Sequence, residues 1–235
     1  MGAAEVVNAR PRACVWIEAS DLSLVSEFPE VFRRVSNVEK MRKQSSAPTT
    51  RNTKVPPHRF MQIEGTAETR SIAIPAITSH NREYLPVALL PGEVILSNKC
   101  YALYDADMWN FALAASKLHL CWIGAVCARM RMDYSYSNTL GWNTFPVPKL
   151  TETDKANLTA CAEDILLARE AHFPATIAEL YDPEKMPDDL RAAHDRNDET
   201  LERIYIGRRF RNDTERLEKL FDMYTKMTAK KEKAS

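Results

Sequence analysis

The sequence predicts an α+β fold, with a mixed α/β domain over residues 1–148 and a small helical bundle over residues 149–235. Short runs of β-branched and aromatic residues, bounded by Pro, Gly and Asn, are confined to the first part. Three amphipathic helical patterns follow one another in the second part. Composition changes at the same place: the first part carries 16 Lys and Arg against 13 Asp and Glu, and the second carries 16 against 19.

The first domain is predicted to combine strands with two helices. A turn is expected at Pro91 and Gly92. The predicted strands are residues 13–18, 58–64, 71–77, 84–90, 93–98 and 100–105. One helix is predicted over residues 29–44 and another over 107–130, the second with a break near His119.

Local capping signals place the three helices of the second domain. The first begins at Thr151, with Asp154 as its capping-box partner. The second begins after Pro187 and ends at Gly207, and the third begins at Asn212. Because an amphipathic helix cannot bury its apolar stripe alone, we expect a bundle packed on the first domain.

Glycine is scarce, which argues against nucleotide-binding enzymes. The chain has 6 glycines, and the two nearest in sequence, Gly124 and Gly141, are 17 positions apart. Phosphate-binding loops need clustered glycines so that backbone N–H groups can approach the anion. The sequence also lacks the minimal motifs of zinc hydrolases, thioredoxins, serine hydrolases and P-loop NTPases.

Few residues are candidates for metal binding or catalysis. His119, Cys121 and Cys127 lie in one apolar stretch, where buried core thiols are commoner than metal ligands. A stand-alone enzyme would need a cluster that spacing hides, such as Asp105 and Asp107 with His119. We therefore expect no metal site and no catalytic residue in this chain.

The five cysteines are scattered and odd in number, which predicts free thiols in a reducing compartment. The N-terminus has no apolar signal core, and no apolar stretch approaches the roughly 20 residues that span a bilayer. These features predict a cytoplasmic protein without a membrane partner.

A basic strip follows the first predicted helix. Between residues 33 and 59 there are eight basic residues and one acid, a local net charge of +7 in a chain whose total is zero. Taken alone, the strip is typical of a solvated helix face and a flexible loop. The alternative is a surface that contacts DNA phosphates. The candidate residues are Arg33, Arg34, Arg42, Lys43, Arg51, Lys54 and Arg59.

Residues 128–136 alternate between polar and apolar side chains, as a strand with two unlike faces does. Arg131, Asp133 and Ser135 fall on the polar face with Arg129. Arg binds O6 and N7 of guanine, and Asp accepts from N4 of cytosine, so this pair is suited to reading a G·C pair. The spacing alone favours a simpler interpretation, in which Arg131 and Asp133 form a surface ion pair with tyrosine packed beneath it.

A series of motifs in order gives this chain a family resemblance. They are Arg82-Glu83-Tyr84-Leu85-Pro86, residues 116–122, Arg129, Tyr134, Tyr136-Ser137-Asn138, Asn143, Phe145-Pro146, Ala168-Arg169, residues 180–183, Met186-Pro187, His194, Tyr205, Glu215-Arg216 and Leu220-Phe221. Over nearly the whole chain, the sequence resembles the target-recognition domain and C-terminal helical domain of MmeI-like restriction–modification enzymes. These enzymes combine an endonuclease, an adenine-N6 DNA methyltransferase and a DNA-reading domain in one chain.

The resemblance implies that Arg131, Asp133 and Ser135 choose bases, with the Arg–Asp pair selecting guanine. Arg129 is predicted to bind the DNA backbone. The same segment differs from the family's usual sequence at two places. Ala128-Arg129-Met130 replaces the family's usual Gly-Arg-Leu, which bears on how closely the backbone approaches DNA. Trp142 replaces the usual Tyr before Asn, which bears on packing.

The methyltransferase and nuclease portions that precede this region in the family are missing from the sequence. The resemblance therefore implies a fragment, an excised domain or a remnant that is not an enzyme alone. It would act with duplex DNA and an upstream methyltransferase domain or subunit. S-adenosylmethionine is expected only in that missing domain. The alternative is a non-DNA interaction or structural domain of a larger assembly.

Overall fold

The computed structural model describes residues 1–62 and 65–232, and it groups the chain into two compact units. The main unit comprises Met1–Pro11 with Thr66–Ser235, and the inserted unit comprises Arg12–Gly65. The main unit begins with a short helix, α1 (Ala3–Val7). Among the described residues, no helix has the length and apolar character that crossing a membrane requires.

The inserted unit is helical. Two 3₁₀ turns, Ala19–Asp21 and Leu24–Glu27, precede α2 (Pro29–Gln44) and the single turn α3 (Pro48–Arg51). The helix α2 has the bounds that the sequence predicts, with Pro29 at its first turn, where the missing N–H costs nothing.

The first sheet of the main unit has three antiparallel strands in the order β3-β1-β4. They are β1 (Arg70–Pro75), β3 (Ala88–Pro91) and β4 (Cys100–Tyr104), while β2 (Ile77–Thr78) belongs to a second sheet. Ile72 and Ile74 of the central strand are buried, because this strand is paired on both edges and covered by helices.

Two helices follow β4 where the sequence predicts one interrupted helix. They are α4 (Trp109–Ala114) and α5 (Lys117–Val126). The break lies at Ser116 rather than at His119, because the Ser116 hydroxyl accepts from the backbone N–H of His119 and caps α5. A hairpin of β5 (Ala128–Met130) and β6 (Asp133–Ser135) comes next, and then a π-helical turn at Asn138–Trp142.

The C-terminal helices are α6 (Glu152–Glu170), α7 (Ile177–Leu180), α8 (Asp188–Ile206) and α9 (Asp213–Glu232). Thr151 and Asp154 form the predicted capping box, and Asn212 caps α9 through the N–H of Glu215. Gly207 ends α8 with a φ of 77°, a conformation that glycine adopts without a Cβ clash. Three short helices, α1, α3 and α7, have no counterpart among the predicted elements.

One hydrophobic core joins the strands to the C-terminal helices. Phe111 and Leu113 of α4 pack with Leu158 and Ile165 of α6, and Leu201 of α8 belongs to the same cluster. The predicted α+β class and the packing of the bundle on the first domain are therefore confirmed. The hydrophobic core continues across the boundary predicted at residue 148. The division of the chain into two domains at this residue stays a prediction.

Three predicted strands are wrong. Residues 13–18 and 58–62 are irregular because no strand pairs with them, and residues 63 and 64 lie outside the described residues. Residues 93–98 are also irregular: the Ile95 carbonyl accepts from the Met1 amino group, and the Ser97 N–H donates 2.9 Å to the Met1 carbonyl. Of the strand predicted at 84–90, only the end from Ala88 pairs.

Candidate nucleic-acid interface

The segment predicted to read bases forms a tight hairpin with the two residues Arg131 and Met132 as its turn. Its pairs are Ala128 with Ser135, Arg129 with Tyr134, and Met130 with Asp133. On its other edge β6 pairs with β2, so that β6 is the central strand of the second sheet. The strand that carries Asp133 and Ser135 is therefore held by backbone hydrogen bonds on both sides.

The prediction of a single strand across residues 128–136 is wrong. Directly paired residues of a hairpin point to the same face, so Met130 and Asp133 share one face while Arg129 and Tyr134 share the other. Arg129 consequently does not lie on the face of Asp133 and Ser135. The period-2 pattern is misleading here because the chain reverses in the middle of it.

Arg131 occupies the tip of the hairpin. Its φ is +60°, which residues other than Gly, Asn and Asp rarely adopt. Its side chain is exposed and forms no hydrogen bond or ion pair with residues 1–62 or 65–232. The surface ion pair with Asp133 that spacing favours is thus not formed. Met130 and Met132 flank Arg131 and are 58% and 62% exposed, which leaves apolar contact area at the tip.

Asp133 has a different partner, His80, in the loop after β2. Its Oδ1 accepts from the backbone N–H of His80 at 3.2 Å and lies 3.3 Å from the ring Nδ1. These hydrogen bonds lower the pKa of the Asp133 carboxyl from its ordinary value, so the group is ionised at neutral pH. A carboxylate in this state only accepts hydrogen bonds, as reading the amino group of cytosine requires. No sequence signal indicates His80, because it is 53 residues away from Asp133.

Removing the His80 ring is expected to raise the pKa of Asp133 toward its ordinary value. The rise should be partial in His80→Ala, because the backbone N–H remains. Since the folded pKa lies below the unfolded one, ionised Asp133 contributes stability that is lost as pH falls through the folded pKa. Carboxyl carbon NMR titration measures this pKa. His172→Ala is the matched control, since His172 contacts Asp189 and lowers that pKa instead. An unchanged Asp133 pKa in His80→Ala would contradict the assignment.

Arg129 is ordered by its own hairpin. Its Nη1 donates to the carbonyl of Met132 at 2.9 Å, and its guanidinium carbon lies 4.6 Å from the centroid of the Tyr134 ring. Ser135, the third predicted base-reading residue, is half-buried. In the sheet it is paired with Ile77 on β2 and with Ala128 on β5. The side chain of Arg129 is exposed and available on the face away from Asp133.

An aromatic cluster around His119 supports the hairpin. His119 is fully buried, with its Nε2 3.0 Å from the hydroxyl of Tyr136 and its ring against Trp142 and Phe145. Burial lowers the pKa of His119 to about 3, so the imidazole is neutral. Within the described part of the chain, no three His, Cys, Asp or Glu side chains are grouped to hold a metal.

The other enzyme candidates have structural partners. The Asp105 carboxylate accepts from the backbone N–H groups of Glu68 and Thr69, both at 2.8 Å. The Asp107 carboxylate accepts from the indole N–H of Trp109 at 3.2 Å. Both carboxylates therefore act as hydrogen-bond acceptors that hold neighbouring donors in place.

The predicted backbone-binding residues of the inserted unit have unlike environments. Arg33 pairs with Glu30 at 2.5 Å, and Lys43 pairs with Glu39 at 2.6 Å. Arg51 donates to the Ser45 carbonyl, and Arg59 pairs with Glu18 at 3.0 Å. Arg34 and Lys54 are exposed, and neither has an ion pair with any described residue. The exposed pairs are weak, so these six side chains can still turn toward an anion.

The prediction that Arg42 contacts the DNA backbone does not agree with its burial. Its side chain is buried, and its guanidinium donates to the carbonyls of Val55, Pro56 and Arg59 at 2.8, 3.0 and 2.6 Å. Because Arg42 lies at the end of α2 next to this loop, its hydrogen bonds hold the loop against the helix. A buried guanidinium that is satisfied in this way does not reach a phosphate, and Arg42 leaves the set of backbone-binding candidates.

Comparison with known proteins identifies the family. The family model "MmeI, target recognition domain" matches residues 1–149, and "MmeI, C-terminal domain" matches residues 150–231. The chain is 35% identical over 228 residues to DNA methyltransferase A of Bacillus subtilis (strain 168), which covers 97% of this chain and 26% of that protein.

A solved structure of the type IIL restriction-modification enzyme MmeI in complex with DNA has the same fold. The TM-score is 0.91 at 33% identity, over 97% of this chain and 30% of that one. This chain thus spans less than a third of either relative. It belongs to the MmeI family, of which it has the target recognition domain and the C-terminal domain.

Proposed function

We propose that this chain recognises a specific sequence in double-stranded DNA for a restriction–modification adenine-N6 methyltransferase. In this proposal the chain itself has no catalytic residues and binds no S-adenosylmethionine. A methyltransferase domain or subunit supplies both, and it acts in the bacterial cytoplasm on an adenine that it flips out of the duplex. Family membership and the DNA-bound state of the MmeI structure support the proposal.

The exposed hairpin is the observation that carries the proposal. A two-stranded ribbon fits the major groove, where each base pair presents a distinct pattern of donors and acceptors. Arg131 at the tip is suited to guanine, the ionised Asp133 is suited to cytosine, and Ser135 can bind either. The φ of +60° at Arg131 is a strained conformation, and such conformations cluster at functional sites.

Sequence-independent affinity is assigned to exposed cations. In the inserted unit these are Arg33, Arg34, Lys43, Arg51 and Lys54, together with the half-buried Arg59, and in the hairpin Arg129. Contacts of this kind position the protein on DNA and carry no sequence information.

Titration with a mixed-sequence duplex at two salt concentrations tests whether the chain binds DNA. We expect binding at 50 mM salt that weakens steeply by 200 mM, because each neutralised phosphate releases counterions. The alternative, a protein-interaction domain whose basic strip only faces solvent, predicts weak DNA binding at physiological salt with no sequence preference. A chain that fails to bind even at 50 mM salt would contradict the proposed function.

A further inference from the structure

A groove in the main unit lies beside the hairpin and has a volume of about 550 Å³. Arg129 and Tyr134 of the hairpin form part of its wall, Arg82 and Glu83 come from the loop between β2 and β3, and residues of α5 and α9 form the rest. Its charged residues are Arg82, Glu83, Lys117, Arg129, Asp213 and Arg216. The groove therefore adjoins the residues that are proposed to read bases.

The acids of the groove are neutralised. Glu83 pairs with Arg191, and Asp213 pairs with Arg216 at 2.6 Å. Arg216 is further occupied by the buried carboxylate of Glu202 at 2.5 Å. Three cations remain without an ion pair among the described residues: Arg82, Lys117 and Arg129.

Arg129 and Lys117 are held in place before any ligand binds. The Tyr134 ring under Arg129 lies against Gly124 of α5, where an added Cβ would be 3.3 Å from Cε1 of the ring. Lys117 begins α5, its backbone N–H donates to Asp198, and its ammonium lies 5.0 Å from the centroid of the Tyr84 ring. Ordered side chains lose little further entropy when they bind an anion.

A ribbon in the major groove has a sugar–phosphate strand on either side. We propose that this groove binds the phosphodiester backbone of the DNA that the hairpin reads, through Arg82, Lys117 and Arg129. The inference rests on the proposed function and deepens it, because it adds Arg82 and Lys117, to which the sequence assigns no DNA contact, to the backbone contact already assigned to Arg129. Arg82 and Lys117 are 35 residues apart in sequence, and only the fold brings them together.

The salt dependence of duplex binding by the full chain tests the inference. We compare wild type, Lys117→Gln, Arg129→Gln and the double variant over several salt concentrations. Each lost phosphate contact should reduce the slope of log K against log salt by about 1, so the double variant should lose about 2. The preferred base sequence should not change. Lys149→Gln, an exposed cation outside the groove, removes the same charge and should keep the wild-type slope.

Each outcome decides one of the claims. A wild-type slope in the double variant, or an altered base preference, would overturn the backbone role of the groove while leaving DNA binding intact. No duplex binding by the wild type would overturn the proposed function, and the groove assignment with it. If thermal melting shows that Arg129→Gln fails to fold, Lys117→Gln decides alone, because its ammonium makes no hydrogen bond within the described structure.

Discussion

Arg131→Ala is expected to weaken binding to the preferred DNA site by about 1 to 3 kcal/mol and to relax the preference at one base position. The physical reason is the bidentate geometry: a guanidinium matches O6 and N7 of guanine, and alanine replaces neither bond. Affinity for mixed-sequence DNA should change far less, because no phosphate contact is assigned to Arg131. Selection from a pool of random duplexes, followed by sequencing, measures the preference.

The backbone conformation at Arg131 allows a control that separates the effect of hairpin geometry from the effect of the base contact made by the guanidinium. Arg131→Gly removes the same side chain but accommodates the φ of +60° without strain, so its stability should equal or exceed that of the wild type. Its base preference should relax as in Arg131→Ala. A relaxed preference in Arg131→Ala that Arg131→Gly restores would show that hairpin geometry, rather than the guanidinium, determines specificity.

Glu202→Ala is expected to lower the free energy of unfolding of the main unit by about 3 kcal/mol, the lower end of the cost of breaking a buried ion pair. Glu202 on α8 is fully buried, and its carboxylate accepts from Arg216 on α9 and from the backbone N–H of Phe210. Alanine would leave both donors without this partner. Arg216 retains Asp213, which limits the loss. Urea denaturation followed by circular dichroism measures the change.

Glu199→Ala is the matched control for that substitution. Glu199 lies one turn earlier on α8 and pairs with Arg203, but both side chains are exposed, at 39% and 61%. Exposed pairs contribute little, so the loss should stay below about 0.5 kcal/mol. Equal losses in the two variants would contradict the assignment of Glu202 as the buried connection between α8 and α9.

Elements specified by neighbouring residues could be predicted from the sequence. The capping residues Thr151 and Asn212 and the stop at Gly207 act within a single turn, so the sequence predicts where α6 and α9 begin and where α8 ends. The strands predicted over 71–77 and 100–105 correspond to β1 (Arg70–Pro75) and β4 (Cys100–Tyr104), because their apolar residues suit a buried sheet.

Features that depend on long-range contacts could not be predicted. The turn at Arg131 contains no Gly, Asn or Pro, so nothing local marks the reversal of the chain. The burial of Arg42 depends on carbonyls 13 to 17 residues further along the chain. His80 and the groove cations likewise acquire their roles from the fold. The base-reading residues came from family resemblance, and their roles stay a prediction.

Sequence selection by the unaltered chain tests the central claim most directly. The chain is incubated with random-sequence duplexes at low salt, and bound molecules are enriched over several rounds and sequenced. We predict one preferred sequence with a G·C pair at the position that Arg131→Ala relaxes. Binding that gives no enriched sequence would contradict the claim that this chain reads bases.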